Sequence, residues 1–235
     1  MKSFFIAILF LCISSSLFSQ RNIVKNLSGF DEHRKYHFGF YLGANSMGAS
    51  IGLNDQIFTN DTIYSLNLKA KTGFNLGVVI DLHLGPYFDI RSLFPTLSFG
   101  QRDLEYRVKT NQGIFSDLRS VESTYLSFPL ELKYKSHRYG NFRAYLLAGW
   151  ESGYDLVSQK NVDLNDKTVV RLNRWNHGYS YGFGFEFFLE YFKFAPQIKW
   201  TKGINNLLIN DGTPFTNIVD YMNSKVVLIS LTFEG

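Results

Sequence analysis

A chain of 235 residues, 45% of them hydrophobic, holds enough apolar material for one ordered domain, which excludes disorder as its overall state. Charged residues make up only 19% while aromatics reach 17%, and a mean hydropathy of -0.09 goes with no apolar run of membrane-helix length beyond the first twenty residues. A formal charge of +4 is too mild to imply a nucleic-acid partner, so any membrane role falls to strands.

The chain opens on Lys2, an apolar stretch over 4–13 and then Ser14, Ser15 and Ser16 before Gln20, the layout of a secretory signal peptide expected over 1–19. Leu11 is too large for the small residue that lipoprotein processing wants before a cysteine, and Cys12, the single cysteine, leaves with the leader. The mature chain then has no thiol for disulfide, metal or nucleophilic chemistry, and its formal charge drops to +3 with the loss of Lys2. A polar periplasmic lead-in is expected over 20–35 and a barrel over 36–235.

From residue 36 the sequence alternates with period two, the strand period. Phe38, Phe40 and Leu42 oppose His37, Gly39 and Gly43; Phe74, Leu76, Val78, Ile80 and Leu82 oppose Asn75, Gly77, Asp81 and His83. A run over 88–102 is followed by Leu126, Phe128, Leu130, Leu132 and Tyr134 against Ser127, Glu131 and Lys133, and by a run over 142–154. In 177–187, Tyr179, Tyr181, Phe183, Phe185 and Phe187 oppose Gly178, Ser180, Gly182, Gly184 and Glu186. Phe192, Phe194, Ile198 and Trp200 then oppose Lys193, Gln197 and Lys199, and Val227, Ile229, Leu231 and Phe233 oppose Ser230, Thr232 and Glu234.

These runs predict an all-β fold, a closed antiparallel transmembrane β-barrel of about eight strands. Long polar segments near 49–70, 103–121, 155–175 and 205–222 alternate with short joins at 85–86, 136–141 and 189–190, as external loops and periplasmic turns do. A soluble calyx would share this alternation. Its narrow interior would be overfilled by five aromatics from one strand, whereas lipid accepts them and glycine and serine pack inside. Pro95, Pro129 and Pro196 fall within predicted strands, where bulges are the expected remedy.

Four blocks carry a family resemblance: NLSGFDEHRKYHFGFYLG at 26–43, FDIRSLFPTLSFGQRDLEY at 88–106, STYLSFPLELKYKS at 123–136 and YFKFAPQIKWTKGINNLL at 191–208. In these the chain resembles the PorT/SprT family, linked to the type IX secretion system and gliding motility. The resemblance implies an outer-membrane barrel that supports export of proteins with a C-terminal sorting domain, without catalysis. The chain departs from common barrel endings in closing on Glu234 and Gly235 after Phe233.

Asp81, His83, Arg91, Glu131, Lys133, Arg143, Glu151, Glu186, Lys193 and Lys199 are predicted to point inward, as a lumen network in which opposite charges pair to offset desolvation. Asp81 and His83 share a face, with no nucleophile or oxyanion donor to join them. His33, His37, His137 and His177 show no metal-ligand spacing, and no cofactor or small-molecule substrate is expected. Phe30, Asp31, Glu32, Arg34 and Lys35 are candidates for periplasmic partner contact. The expected function is a noncatalytic secretion accessory whose partners are outer-membrane lipid and other secretion-system proteins; the alternatives are a barrel enzyme acting on lipid or peptide and a passive surface or adhesion barrel. On the assigned faces, Phe183→Arg is expected to impair insertion and Gly182→Ser to be tolerated.

Overall fold

The computed structural model describes residues 24–55, 63–91, 95–110, 113–157, 171–212 and 214–235. The expected signal peptide lies outside the described residues, as do parts of the segments 49–70 and 155–175. A short helix, α1 (Ser28–His33), precedes β1 (Tyr36–Leu53), β2 (Ile63–His83), β3 (Phe88–Arg91), β4 (Thr96–Thr110), β5 (Gly113–Lys135), β6 (Phe142–Asp155), β7 (Trp175–Phe188), β8 (Lys193–Gly203) and β9 (Val219–Glu234), with a single turn of helix, α2 (Pro214–Asn217), before the last strand.

All pairings are antiparallel, in the order β1-β9-β8-β7-β6-β5-β3-β2-β4, with β1 also paired to β2 and β5 to β4. The observed architecture is therefore a nine-stranded antiparallel sheet, which corrects the expectation of a closed barrel of about eight strands. The stretch expected as one strand over 88–102 is two, because Pro95 has no N–H to donate and stands where the chain has left the ladder, just before Thr96.

The other two prolines are accommodated without the expected bulges. Pro129 pairs with Glu151 in unbroken register, and on its other side it lies between Ser127, which pairs with β4, and Glu131, which pairs with β3. Pro196 pairs with Leu231, while the β7–β8 ladder passes from Gly184↔Gln197 to Phe187↔Phe194 with the intervening rungs missing. Each proline sits beside a gap in the ladder, so no partner loses a hydrogen bond to it.

Strand lengths also correct the expected loops. The region 103–121 is a hairpin, paired continuously from Thr96↔Ser127 to Thr110↔Gly113. β2 and β5, at 21 and 23 residues, are about twice the 9–11 residues that cross a bilayer. They run well past the apolar row on β5, which spans Leu126, Phe128, Leu130, Leu132 and Tyr134 and gives way to Thr124, Glu122 and Ser120.

The two faces are inverted relative to those of a water-soluble sheet. Phe40 (54%), Leu130 (51%), Leu146 (58%) and Phe183 (39%) are exposed, while Asp81, Lys133, Glu186 and Lys193 are wholly buried. Aromatic rings pack laterally along the exposed face: Phe40 on Phe233 with centroids 5.2 Å apart, Phe74 on Phe99 at 4.6 Å, and Phe194 on Phe233 at 5.4 Å.

The glycines of β7 make room on the buried face. A Cβ on Gly184 would stand 2.5 Å from the Tyr145 ring and 2.7 Å from the Pro196 carbonyl oxygen. One on Gly182 would stand 2.4 Å from the Ile198 carbonyl oxygen, which corrects the expectation that Gly182→Ser is tolerated: phase alone shows a small polar face and not how near the next strand comes. Gly184→Ala is expected to cost about 1–3 kcal/mol by overpacking, read as a lower urea midpoint for loss of heat-modifiable gel mobility. An unchanged midpoint would mean that Tyr145 can move away.

Behind the exposed face the interior is layered. At the short-turn end α1 packs against the sheet through Phe30, stacked 4.3 Å from the buried His37 ring, whose Nε2 lies 2.9 Å from the Phe30 carbonyl oxygen. The charged middle follows. At the long-strand end Ile63, Leu104, Tyr106, Leu172, Leu207, Ile218, Val219 and Met222 form an apolar core. Leu172 and Leu207 come from segments expected as loops; the backbone N–H of Asn173 donates to the Leu207 carbonyl (2.7 Å), drawing the two together.

Candidate functional site

The buried middle is an ionic network built from seven strands. Arg91 on β3 grips Asp81 on β2 with two hydrogen bonds, Nε to Oδ1 at 2.7 Å and Nη2 to Oδ2 at 2.8 Å, and Nη2 also donates to Glu234 Oε1 on β9 at 2.7 Å. Its third nitrogen, Nη1, donates to Gln197 Oε1 (3.0 Å), which also accepts from the Tyr145 hydroxyl (3.0 Å). Lys133 on β5 bridges Asp81 (2.9 Å) and Glu186 on β7. Glu186 further accepts from Arg143 Nε on β6 (2.6 Å) and pairs with Lys193 on β8 (3.2 Å), and Lys193 also meets Glu234. Nearer the turns, Lys135 and His83 share Asp89, His83 Nδ1 standing 2.9 Å from Oδ1.

A second cluster lies toward the long-strand end. Lys199 Nζ reaches Glu131 (2.9 Å) and Glu151 (3.3 Å), Ser180 donates to Glu131 (2.9 Å) and Thr201 to Glu151 (3.2 Å). It borders a small cavity of ≈ 30 Å³, room for about one water, lined also by Arg102, Tyr41 and Asn75. Charges taken out of water this completely are tolerable only when paired and hydrogen-bonded, and each carboxylate here has at least one cation beside it.

Asp81, His83, Arg91, Lys133, Arg143, Glu186 and Lys193 thus lie in one connected part of the interior or at its edge, and Glu131 and Lys199 lie in the second cluster. Asp89, Lys135 and Glu234 are partners that the sequence did not single out. Glu234 shares the phase of Ser230 and Thr232, so alternation carried to the last strand residue places it inward.

Of the expected partner-contact residues, Phe30 is turned onto His37, and Arg34 is exposed with its guanidinium 5.8 Å from the Phe30 ring. Lys35 is exposed, and its carbonyl accepts from the His83 backbone N–H at 2.8 Å. Asp31 and Glu32 lie in α1, with side chains outside the described residues.

Past the apolar band, Lys71 meets Asp103 at 2.8 Å and Lys69 meets Glu105 at 2.9 Å, and these lysine hydrogen bonds hold both carboxyls below their usual range. One contact has the makings of nucleophilic chemistry: Ser152 Oγ lies 2.6 Å from His177 Nδ1 between the rings of Trp150 and Trp175. The two are directly opposite in the β6–β7 register, and among the described residues no carboxylate orients the His177 ring, which makes it an ordinary cross-strand pair.

The family described as outer membrane protein beta-barrel domain matches residues 18–208. No curated protein matches the chain. Among solved structures, the outer membrane protein OprG from Pseudomonas aeruginosa is 15% identical with a TM-score of 0.47, over 87% of this chain and 98% of its own. Ail, the attachment invasion locus protein of Yersinia pestis, is 12% identical with a TM-score of 0.41, over 86% of this chain and 100% of its own. Neisserial surface protein A is 12% identical with a TM-score of 0.41, over 83% and 95%. None of these likenesses lends this chain a role.

Proposed function

The chain belongs to the outer membrane protein beta-barrel domain family, and from that premise we propose that it is a noncatalytic protein of the outer membrane, filled across its middle and acting through its two ends. Its place in the outer membrane rests on the family and on the inverted faces. The observation that carries the functional reading is the filled interior: paired charges, a cavity of ≈ 30 Å³ and an apolar core succeed one another from the charged middle to the long-strand end, an arrangement suited to a rigid support and not to a conduit.

The long-strand end best supports a surface role. The β4–β5 hairpin carries Ile114, Phe115 and Leu118 at 52–58% exposure beyond the apolar band, a contact surface held out on paired strands. A second reading, an accessory part in type IX export, is favoured by the resemblance to the PorT/SprT family and by the ordered lead-in. Arg138 Nη2 donates to the Asn26 carbonyl, and Asn141 Nδ2 donates to the Val24 carbonyl at 3.1 Å, so the segment after the leader is fixed at the short-turn end, where secretion partners would meet it.

Two variants separate the readings in a strain deleted for the gene. Shortening the hairpin to a tight turn beyond Asp103 and Ser120 is expected to lower surface attachment while cargo still reaches the medium. Asp31→Ala with Glu32→Ala is expected to lower cargo secretion only if the accessory reading holds. A deletion strain unchanged in both assays would contradict both. Orientation is checked by labelling intact cells with an impermeant thiol reagent: Ser116→Cys should react and Ser136→Cys should not, and the reverse would invert the assignment of the ends.

A further inference from the structure

At the short-turn end a cavity of ≈ 270 Å³ opens between the lead-in, the β2–β3 turn and the β5–β6 turn. Its lining is Lys25, His83, Pro86, Tyr87, Ser136, His137, Arg138 and Arg143, and among these described residues there is no Asp or Glu. We propose that this cavity is a binding site for an oxyanion, a phosphate or carboxylate group presented from the periplasmic side.

Three observations converge on that chemistry. The first is charge: two guanidiniums and an ammonium face one cavity with two imidazoles, a concentration of positive potential that an anion relieves. The layer beneath supplies no compensating excess of acid, since with Arg143 counted to the cavity Arg91, Lys133, Lys135 and Lys193 equal Asp81, Asp89, Glu186 and Glu234 in number.

The second is preorganisation. Arg138 is 8% exposed and held over the Phe188 ring at 3.6 Å, with Nε donating to the Gly140 carbonyl at 2.8 Å. Arg143 is fixed by Glu186, and His83 by Asp89. With Nε and Nη2 of Arg138 given to Gly140, Asn26 and Asn141 and those of Arg143 to Glu186, the two guanidiniums contribute fixed positive charge, and the exposed Lys25 ammonium and His137 ring are the groups placed to touch an oxyanion. The third is size. At about 30 Å³ per water the space holds roughly nine, enough for a phosphate or a terminal carboxylate with its solvent and far too small for a folded partner. The site stands whichever functional reading holds, and only its exposure to the periplasm rests on the assigned orientation.

The test is calorimetric titration of the mature protein in zwitterionic detergent and low-chloride buffer. The probes are inorganic phosphate, pyrophosphate, and a short peptide with a free C-terminal carboxylate beside its C-terminal amide. Saturable binding of at least one oxyanion is expected, with preference for phosphates naming a phosphate source and preference for the peptide acid over its amide naming a chain terminus. Lys25→Glu with His137→Glu, both exposed positions, should weaken binding about tenfold or more, while Lys69→Glu with Lys71→Glu at the far end should leave it unchanged. Heat-modifiable mobility verifies folding of each, and Lys25→Gln alone should give the same effect in smaller measure. No saturable binding by any probe, or equal weakening by the two double variants, would overturn the proposal.

Discussion

Glu186→Ala is expected to be among the most damaging single substitutions in the molecule, at about 3–5 kcal/mol of folding stability. Its carboxylate is wholly buried and meets Lys133, Arg143 and Lys193 from three different strands. Truncation leaves those cations facing one another in a space that water reaches poorly, with Lys133 still answered by Asp81 and Lys193 by Glu234. Glu186→Gln keeps an acceptor and should lose less. Refolding into lipid vesicles across a urea series, followed by the heat-dependent mobility shift, measures both. Equal and small losses for the two variants would show that the network contributes little. His83→Ala offers the contrast: Lys135 already holds Asp89, so the loss should stay within about 1 kcal/mol.

Phe183→Arg, one face away on the same strand and near its middle, is expected to cost about 2–4 kcal/mol and to slow membrane insertion, because the guanidinium would replace a ring packed 6.1 Å from Trp200 on the lipid side. Ser116→Arg, beyond the apolar band, should have little effect. The same urea series reads both, and equal insertion of the two variants would mean that Phe183 does not face lipid.

Period-two alternation made the strands and both faces legible in the sequence, because lipid on one side and paired charge on the other keep the contrast high. It failed where that contrast fades. In 103–121 Asp103 and Glu105 stand on one face of a hairpin, paired with Lys71 and Lys69, while Asp117 and Arg119 share the other face with the buried Leu104 and Tyr106, so polar and apolar residues mix on both faces and the pattern reads as loop. The outer core failed for a related reason: Leu172 and Leu207 lie in polar surroundings and become a core only when Asn173 bonds across to Leu207.

For the candidate site, phase placed Asp81, Arg91, Lys133 and Glu186 inward but not with whom they pair. Arg91 meets Glu234 143 positions away through the register of the intervening strands, and no local signal records that distance. The basic cavity was hidden likewise, since Lys25, His83 and Arg138 come from a lead-in, a strand end and a turn. Gly182 marks the opposite limit: alternation identified its face correctly as polar and could not show that the Ile198 carbonyl already occupies the space for a side chain.

The central claim is that the apolar face meets lipid and the charged face is buried behind it. A nitroxide attached at Leu130→Cys, a 51% exposed position midway along the apolar row of β5 in a mature chain expected to hold no other cysteine, tests this directly after reconstitution in bilayers. The inverted arrangement predicts relaxation enhanced by dissolved oxygen, which concentrates in the hydrocarbon core, and nearly indifferent to a water-soluble nickel chelate. Strong relaxation by the chelate with weak relaxation by oxygen would put Leu130 in water and contradict it.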